Sequence, residues 1–351
     1  MPRIACLTNL PHTPSSRFRI RQYISLLKDE HDLELTDFPR RYSTEMAGRP
    51  NKRIRSSPTL LGLAVCYEVA NLANRYKALK SARHFDATVI SRQLMIGYPS
   101  LEYLLTKPLI LDVDDAVFLS GKLSRISFDL LLKKADLVLA GNRYLSDYSQ
   151  RINGNVVTVP TSVDTDRWKP DASKQISDRF IVGWSGTSTS FFFLESIQKS
   201  LVRFIEESNA EFWLMSDKFP SSLKLLHPHM KYFQWCESKE VQFVQSLDVG
   251  IMPLRDDEWS QGKCAYKMLL YSACSVPVVV SPFGVNDEVL QEANLGLGAV
   301  TSDDWYDSLF FMFHDRELAE RMGREGMRLV GEKYSLRRNG TVIANAIKSV
   351  L

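Results

Sequence analysis

Short apolar segments alternate with helical segments along almost the whole chain, and this alternation restricts the fold more than any other feature of the sequence. Most of the apolar segments are rich in β-branched residues and apolar on both faces, which is typical of parallel strands covered by helices. Strands that alternate with helices predict doubly wound α/β sheets. The predicted strands are Arg3–Leu10, Leu33–Phe38, Ala87–Ser91, Leu109–Val113, Leu137–Ala140, Val156–Val159, Phe180–Gly183, Glu211–Met215, Met230–Phe233, Val249–Met252, Val276–Val280 and Gly298–Val300. The predicted helices include Phe18–Leu27, Leu123–Lys134, Phe191–Asn209, Ser238–Leu247 and Trp305–Val330.

The length and composition predict two folded domains. The chain has 351 residues, of which 44% are hydrophobic, and this length suits two domains of ordinary size better than one. The polar, proline-bounded segment that opens at Pro160 indicates a linker. We therefore expect one α/β domain over 1–165, a second over 166–335 and a closing helix over 336–351. The 44 basic and 41 acidic residues nearly balance, so the charge gives no support to a nucleic-acid partner.

The cysteines and the apolar content bear on the compartment. The five cysteines form no CxxC pair and no metal-ligand spacing, which is typical of reduced thiols in the cytosol. The start of the sequence has no signal-peptide pattern and no apolar run is long enough to span a bilayer, so we expect a cytoplasmic protein without a metal site. The basic run Arg49–Arg55 with the following Leu60–Leu72 can dock at the inner face of an anionic membrane, and a solvated loop is the alternative.

A basic loop and a short helix follow the apolar strand in Asp248–Leu254. Lys263 and Lys267 are four residues apart, so on a helix or its first turn they would present two ammonium groups on one face. A strand, a basic loop, a helix start and a further strand form an α/β unit whose helix N-terminus can face an anion. This corner suits a phosphate or diphosphate, and two lysines on a solvated helix face are the alternative.

The segment from Asp248 to Glu288 resembles the donor-binding segment of GT-B glycosyltransferases, in particular the retaining glycosyltransferase family 4. In that family a strand ending in D-x-x-x-x-P leads to a loop and a helix, then to A-x-G-x-P-V-V and a loop that meets the donor. The stretch Val159–Asp164, followed by Trp168–Pro170, resembles the family's interdomain signature. The residues that match the donor segment are Asp248, Pro253, Ala273, Ser275, Pro277, Val278, Val279, Gly284 and Glu288.

The resemblance implies a GT-B architecture of two Rossmann-like domains that face each other across a cleft, with the last helix packed back on the first domain. It implies a retaining hexosyltransferase that moves a sugar from a nucleotide-diphosphate sugar to a glycan, polysaccharide or glycolipid acceptor. No cofactor is implied, because Lys263 and Lys267 can stabilise the leaving phosphate without a metal. Tyr266, which lies between them in sequence, is expected to contact the donor.

Two other segments of the second domain resemble parts of the family's donor site. The turn after its first strand contains Gly183 and Gly186, which would let backbone amides approach the phosphates. Ser185 and Thr187 would offer hydroxyl groups there, and a plain strand-to-helix turn is the alternative. Trp235 stands where the family receives the nucleotide base, and a role in the core is the alternative.

The first domain carries an acidic run, Asp112–Asp115, at the end of a predicted strand, where α/β sheets bind ligands. With Phe118 it matches a D-x-D-D motif found in a subset of these glycosyltransferases. Asp112 and Asp114 are therefore candidates to contact donor or acceptor hydroxyls or to act as an acceptor base. A divalent metal site and a cluster of helix N-caps are the alternatives.

The segment after the first strand contains Ser16, Arg17 and Arg19. It resembles the S-x-R-x-R found in relatives of the D-x-D-D subset, which would place these residues on the acceptor side. Basic residues on the exposed face of a helix are the alternative.

Both glutamate positions of one family signature differ in this chain. The family's E-x7-E signature has glutamates where this chain has Gly262 and Leu270. A catalytically inactive relative that binds nucleotide sugars is therefore one alternative function. A non-hydrolysing nucleotide-sugar epimerase, which shares the fold and the donor site, is the other.

Overall fold

The computed structural model describes residues 1–41, 58–95, 97–173 and 179–351, so the predicted membrane-docking run Arg49–Arg55 lies outside the described residues. The chain divides into two compact units. The first comprises Met1–Thr161 together with Leu336–Leu351, and the second comprises Ser162–Ser335.

Parallel strands and surrounding helices form both units. The strands are β1 Arg3–Thr8, β2 Glu34–Pro39, β3 Ala87–Ser91, β4 Leu109–Val113, β5 Leu137–Ala140, β6 Val156–Thr158, β7 Ile181–Ser185, β8 Glu211–Ser216, β9 Met230–Gln234, β10 Val249–Met252, β11 Val278–Val280 and β12 Gly296–Gly298. The helices of the described residues are α1 Ile24–His31, α2 Pro58–Ala82, α3 Lys122–Lys134, α4 Arg143–Gln150, α5 Phe191–Glu195, α6 Gln198–Ser208, α7 Glu240–Gln245, α8 Glu258–Gln261, α9 Tyr266–Ala273, α10 Val285–Glu292, α11 Ser302–His314, α12 Arg316–Lys333 and α13 Leu336–Lys348.

Each unit is built on a six-stranded sheet in which every strand pairs in parallel. The strand order is β2-β1-β3-β4-β5-β6 in the first unit and β12-β11-β10-β7-β8-β9 in the second. Helices cover these sheets, and the strands carry near-continuous buried apolar residues for that reason. The predicted α/β class with two doubly wound sheets is confirmed.

The strand order places a topological switch point in each unit, because successive connections leave β1, and likewise β7, in opposite directions. The switch lies between β1 and β3 in the first unit and between β7 and β10 in the second. Ligands of open α/β sheets bind beyond the carboxyl ends of the strands at such points. The turn after β7 and the loop after β10 are therefore the first places to look for a ligand in the second unit.

Helix α13 belongs to the core of the first unit. Its Ile343 and Ile347 are buried in one apolar cluster with Tyr23 and Leu27. A Cβ atom on Gly340 would overlap the side chain of Leu26, so the small residue lets α13 lie close to α1.

Three predicted helices are interrupted in the structure. The predicted helix Phe191–Asn209 is divided into α5 and α6, and Trp305–Val330 is divided into α11 and α12. The second break falls at Asp315, whose carboxylate accepts a hydrogen bond from the backbone N of Leu318 and starts α12 as its N-cap. The predicted helix Phe18–Leu27 consists of two short helical segments followed by α1. Within the described residues, no helix combines the length and the apolar character that crossing a bilayer requires.

Candidate functional site

The turn after β7 is anchored from α9 on the other side of the switch point. The Oη of Tyr271 accepts a hydrogen bond of 2.9 Å from the backbone N of Ser185. The ring of Tyr271 packs against β10 at Gly250. It has room there because Gly250 has no side chain, and a Cβ at this position would overlap the ring. Burial raises the pKa of the Tyr271 hydroxyl, which therefore stays protonated.

Lys267 lies against the same turn. Its Nζ is 5.3 Å from the ring centroid of the buried Trp184, which is a cation–π distance. A Cβ on Gly186 would lie 2.5 Å from Cε of Lys267 and 2.7 Å from the ring of Trp184. The absence of a side chain at Gly186 therefore makes room for the lysine, and an ammonium group is held where β7 ends.

The structure corrects the predicted geometry of the two lysines. Helix α9 begins at Tyr266, so Lys267 is in its first turn while Lys263 lies in the preceding loop. Ala265 between them adopts a left-handed conformation with φ of 50°, which turns the chain before the helix starts. The two side chains therefore do not share a helix face, and Nζ of Lys263 lies 5.0 Å from the ring centroid of Trp259.

Three backbone amides of the turn already have acceptors within the protein. The N of Gly186 donates to the carbonyl of Met215 at 3.0 Å, and the N of Ser188 donates to Oδ1 of Asp217 at 2.6 Å. With the N of Ser185 bonded to Tyr271, these amides do not form the open cradle predicted from the glycines. The amides of Ser185, Gly186 and Ser188 are therefore already used within the protein.

The other predicted residues of the turn differ in their surroundings. Gly183 lies inside β7, where a Cβ would overlap the side chain of Leu247, so this glycine serves the packing of the sheet. Ser185 is buried, and Thr187 is half-buried with its Oγ1 2.8 Å from Oγ1 of Thr189. Of Gly183 and Gly186, only Gly186 has Lys267 among the atoms nearest to its ideal Cβ.

Trp235 and Tyr266 come after strands on opposite sides of β7, and both side chains are partly buried against the same apolar cluster. Tyr266 is the half-buried first residue of α9, beside Lys267 in sequence. Trp235 follows the edge strand β9, and its backbone N donates to the carbonyl of Ser216 at 2.8 Å. Because β9 is two strands from β7, the backbone at Trp235 lies about 10 Å from the end of β7 across the sheet.

The loop that follows β11 approaches the lysine-bearing loop. Gly284 is the N-cap of α10 and has φ of 57°, a conformation that favours glycine. A Cβ there would lie 3.1 Å from Cα of Gln261 at the end of α8. The N-terminus of α10 therefore starts close to the segment that leads to Lys263, and helix N-termini favour anions.

The two positions at which the family's E-x7-E signature has glutamates are not charged in this chain, and neither offers a polar side chain. Leu270 is 5% exposed and belongs to the main apolar cluster of the second unit. Gly262 directly follows α8. Neither position supplies a carboxylate to a bound ribose or sugar.

In the first unit, Arg19 and Asp112 form a buried ion pair. Nη2 of Arg19 is 2.7 Å from Oδ1 of Asp112, and Nη1 donates to the carbonyl of Val159 at 2.7 Å. Both side chains are 2% exposed. Burial raises the pKa of the Asp112 carboxyl, and the guanidinium of Arg19 acts in the opposite direction. Arg19 is thus not on an exposed helix face, and the geometry favours a positioning role for Asp112 over that of a base.

Asp114 is paired with an arginine that no sequence pattern indicated. Arg92 follows β3 in a left-handed conformation with φ of 65°. Its Nε donates to Oδ1 of Asp114 at 2.6 Å and its Nη2 to Oδ2 at 3.1 Å, while Nη2 also lies 3.3 Å from Oδ2 of Asp115. This bidentate pair lies close to the surface, since the side chain of Arg92 is 20% exposed.

The alternative interpretations of the acidic run find little support. The helical turn Val117–Ser120 that follows it has Ala116 at the N-cap and receives no side-chain hydrogen bond, so the N-cap interpretation is wrong. Across residues 1–41, 58–95, 97–173 and 179–351, no group of three or more His, Cys, Asp or Glu side chains is arranged to hold a metal ion. Guanidinium groups occupy the carboxylate oxygens that such an ion would need.

Ser16 and Arg17 lie in the short helical segment Ser16–Ile20 after β1. Ser16 is fully buried, and its Oγ is 3.0 Å from Oγ1 of Thr13. The guanidinium carbon of Arg17 lies 4.4 Å from the ring centroid of Phe18. Both side chains are buried, so neither is part of a solvated helix face.

No protein-family model matches the chain, and no curated protein matches it. Solved structures do share its fold. HepE from Anabaena, determined with UDP and glucose, has a TM-score of 0.72 and 12% identity, covering 99% of this chain and 100% of HepE. The sucrose-phosphate synthase of Thermosynechococcus elongatus has a TM-score of 0.69 and 11% identity, with 99% of each chain covered.

A third similar structure is WaaG, a glycosyltransferase involved in lipopolysaccharide biosynthesis, with a TM-score of 0.66 and 12% identity over 98% of this chain and 99% of WaaG. At these identities the comparisons establish the fold and nothing finer. The chain has the α/β fold of GT-B proteins, as predicted from the sequence.

Proposed function

We propose that the protein is a retaining glycosyltransferase of the family 4 kind, which transfers a sugar from a nucleotide-diphosphate sugar to a glycan, polysaccharide or glycolipid acceptor. The observation that carries this proposal is the position of Lys267. Its ammonium group lies over Trp184 and against Gly186, at the switch point of the second unit, where α/β sheets bind ligands.

Lys267 and Lys263 stabilise the diphosphate of the donor as negative charge develops on it. Charge stabilisation of this kind lowers the barrier only if the cation is already in place, and the ring of Trp184 and the gap at Gly186 position Lys267 in advance. Ser185 and Thr187 contribute hydroxyl groups, and Tyr266 and Trp235 contact the nucleoside. The transfer requires no metal and no cofactor, because the lysines and the N-terminus of α10 neutralise the leaving group.

Retention follows from attack on the face of the sugar that the leaving group departs from. The departing phosphate takes the proton of the acceptor hydroxyl, so no protein nucleophile is needed. Asp114, held by Arg92, orients acceptor hydroxyls from the first unit. Arg17, in the segment after β1, lies beside the switch point of that unit. Asp112 acts as a positioning residue through Arg19.

The solved structures support the donor class. HepE was determined with UDP and glucose in one structure and with UDP-glucose in another, and MnaA of S. aureus with UDP. By analogy we propose UDP and its sugar conjugates as the first donors to test. An acceptor on a lipid would bring the protein to the inner face of an anionic membrane as a peripheral, cytoplasmic enzyme, with no role for nucleic acid.

A thermal-shift screen against UDP, GDP, ADP and TDP and their sugar conjugates tests the donor site. A nucleotide that binds the folded state raises the melting temperature by mass action. We expect one base to give a shift that EDTA leaves intact, that Lys267→Ala abolishes and that Lys199→Ala, on the exposed face of α6, retains. No shift with any nucleotide, or an unchanged shift in Lys267→Ala, contradicts the proposal.

The burial of Leu270 favours a second candidate, a relative that binds nucleotide sugars without transferring them. A glutamate is missing both there and at Gly262, so the contacts that hold a donor sugar for reaction are reduced. Binding of a nucleotide sugar without release of the nucleoside diphosphate in the presence of acceptors would identify this candidate. Interconversion of donor sugars without any acceptor would identify an epimerase instead.

A further inference from the structure

Exposed apolar side chains in the first unit are concentrated in one region. Within the described part of this unit, eight large apolar or aromatic side chains are exposed on α2, on α3 or in the segment between β3 and β4. Three more are exposed elsewhere in the unit, and two of these are the terminal residues Met1 and Leu351. Single apolar residues at a surface are ordinary, but a concentration of this kind marks a site of interaction.

Helices α2 and α3 lie on the same side of the sheet. Both connect strands in the direction from β2 towards β6, and right-handed connections that run in one direction lie on one face. The segment between β3 and β4 contacts both helices. Oη of Tyr98 donates to Oε2 of Glu68 on α2 at 3.2 Å, and Nε2 of Gln93 donates to the carbonyl of Ser124 on α3 at 2.7 Å. The outer sides of the two helices and this segment therefore belong to one surface.

Helix α2 carries a stripe of apolar side chains on its outer side. Val65, Val69 and Tyr76 are four and seven residues apart, which places them along one face of the helix, and each is more than half exposed. Leu63 lies at the side of this stripe, and the exposed Cys66 follows Val65. The apolar face of a helix in a folded domain normally points into the core, so a second apolar face on the outer side indicates a partner.

Helix α3 carries a similar row. Leu123, Ile126 and Leu130 are three and four residues apart, and each is about half exposed. Tyr103 lies beside this helix, because Nζ of Lys134 donates to the carbonyl of Tyr103 at 3.0 Å, and its own side chain is 73% exposed. A tyrosine ring has an apolar body and a polar tip, which suits the border between water and lipid head groups.

The fully exposed charges of α2 and α3 all have the same sign. Glu68 and Asp129, which are the acidic residues of these helices, are half-buried and accept hydrogen bonds from Tyr98 and from Tyr148, the latter at 2.7 Å. The guanidinium of Arg125 lies 5.8 Å from the ring of Tyr148 and belongs to the same local network. The exposed charged residues are Lys77, Lys80, Lys122, Arg125 and Lys133.

The remaining helices of the unit differ from these two. On α4, Arg143 pairs with Asp147 at 3.9 Å, and no large apolar side chain of this fully described helix is exposed. Helices α1 and α13, also described in full, expose charges of both signs, including the pair of Arg337 with Glu30 at 3.4 Å, and a single large apolar side chain, Val342. Apolar side chains among cations are therefore specific to the outer sides of α2 and α3 with Tyr103, here called the α2–α3 surface.

We propose that the α2–α3 surface docks the protein on an anionic lipid bilayer. The apolar side chains enter the head-group region, and the lysines extend their methylene chains to reach the lipid phosphates. The inference rests on the proposed function, because docking brings the enzyme to a lipid-linked acceptor, and it deepens that function by naming the surface that meets the membrane. The docking run predicted from the sequence did not include α3.

A second copy of the chain fits this surface less well than a bilayer does. In a symmetric dimer the same patch meets itself, so the lysines of one copy would face the lysines of the other. A bilayer of anionic lipids presents the opposite charge over its whole area, and it accepts apolar side chains that stand apart on two helices.

The docking surface is tested by sedimentation of the full chain, without nucleotide, with vesicles of phosphatidylcholine alone or mixed in equal parts with phosphatidylglycerol. We expect binding to the mixed vesicles that weakens as salt is added, because salt screens the lipid charge. Lys80→Glu with Lys122→Glu, one change on each helix, is expected to weaken binding at least about tenfold. Val69→Ser with Ile126→Ser is expected to weaken it about fivefold or more.

The matched control is Lys28→Glu with Lys348→Glu, which makes the same change in net charge at exposed positions of α1 and α13. This control is expected to keep vesicle binding within about twofold. Cys66 gives a second measurement on the unmodified chain, with the exposed Cys236 of the second unit as its reference. Mixed vesicles are expected to slow the alkylation of Cys66 by iodoacetamide more than that of Cys236, as measured by mass spectrometry.

Absence of binding to the mixed vesicles overturns the inference, as does an equal loss of binding in the control and in Lys80→Glu with Lys122→Glu. A wild type that ignores vesicles but forms a dimer, which that variant dissociates, assigns the surface to a second copy instead. If the variant does not fold, the alkylation of Cys66 decides, and equal slowing at Cys66 and Cys236 contradicts the inference. The melting-temperature shift with UDP separates this inference from the proposed function. Lys80→Glu with Lys122→Glu is expected to keep that shift, whereas Lys267→Ala loses it and keeps vesicle binding.

Discussion

The hydroxyl of Tyr271 accepts a hydrogen bond from the backbone amide of Ser185, 2.9 Å away, although the two residues are 86 positions apart in the chain. This bond joins the helix that carries Lys267 to the turn on which Lys267 lies. The position of the lysine therefore depends on a contact with a residue that comes three strands later in the chain than the turn itself.

We predict that Tyr271→Phe lowers the free energy of unfolding by about 1–3 kcal/mol, because the buried amide of Ser185 loses its acceptor. The affinity for the nucleoside diphosphate falls as well, since the turn is no longer held. Urea unfolding and a nucleotide titration measure the two effects. Tyr306→Phe is a suitable comparison, because the hydroxyl of Tyr306 bonds to Glu207 at the surface. An unchanged nucleotide affinity in Tyr271→Phe would show that the bond has no effect on the site.

Two glycines of the same segment are predicted to respond differently to alanine. In Gly183→Ala the new methyl group overlaps Leu247 in the core, so we expect a loss of about 1–3 kcal/mol in stability with little change in nucleotide affinity. In Gly186→Ala the methyl group displaces Lys267, so we expect nucleotide affinity to fall about tenfold or more. Chemical denaturation together with nucleotide titration of both variants checks this contrast. If the two variants bind the nucleotide with equal affinity, the position assigned to Lys267 is contradicted.

The Arg19–Asp112 pair makes a prediction about pH. Arg19→Met leaves the carboxyl of Asp112 buried without its counter-charge, which costs about 3–5 kcal/mol near pH 8. The pKa of Asp112, already raised by burial, rises further in this variant, so the folded state holds a proton that the unfolded state has lost. Stability contributed by that proton is present at low pH and decreases as pH rises through the folded pKa.

The difference in stability between the wild type and Arg19→Met is therefore expected to be smaller at pH 5 than at pH 8. Urea denaturation at the two pH values measures it. The double variant Arg19→Met with Asp112→Leu removes both charges, and we expect it to regain much of the lost stability and to show little of this pH dependence. A pH dependence that persists in the double variant would argue against Asp112 as its origin.

The cysteines offer a test of the region after β9. Cys236 is exposed beside Trp235, and a hydrogen bond with Ser238 lowers the pKa of its thiol. The reactive thiolate is therefore present at a lower pH than for a free cysteine, and alkylation of Cys236 is expected to rise through a midpoint below that of a free cysteine. Mass spectrometry after iodoacetamide treatment at several pH values measures this midpoint, which Ser238→Ala moves upward.

The same labelling experiment tests two further expectations about the cysteines. Burial raises the pKa of Cys274 to about 12 and raises that of Cys6 as well, so both stay unlabelled until the protein is unfolded. A bound nucleotide that stacks on Trp235 is expected to slow the labelling of Cys236. Labelling that proceeds at the same rate with saturating nucleotide would place the base elsewhere.

The strands were predictable because of their burial. Segments such as β3 and β11 are covered on both faces, so they carry uninterrupted apolar residues that no surface strand or loop would carry. The loop before α9 was not predictable in the same way. Ala265 adopts a left-handed conformation for which its sequence gives no sign, since glycine or asparagine would be expected there, so the expectation that Lys263 and Lys267 share one face could not be corrected from their spacing.

The contacts between the charged groups of the first unit could not be predicted from the sequence, for a different reason. The partners of Arg92 lie 22 and 23 positions away, and Arg75 donates to a carbonyl 67 positions away. Sequence reasoning depends on short, regular spacings, and these contacts arise from the order of the strands in the sheet. Arg92 could be anticipated only as a polar residue directly after a buried strand, which is a weak signal. Arg75, which donates to backbone carbonyls of three separate segments, could be found only in three dimensions.

The assignment of α13 to the first unit has a consequence for the synthesis of the chain. The core around Tyr23 and Leu27 is filled by Ile343 and Ile347, which leave the ribosome only after all of Ser162–Ser335 has been made. The second unit can therefore complete its core while the first still has an open apolar surface, reversing the usual order in which the N-terminal part of a chain folds first. A stop codon just after Ser335 would remove none of the second unit, yet it would damage the part of the protein that was translated first.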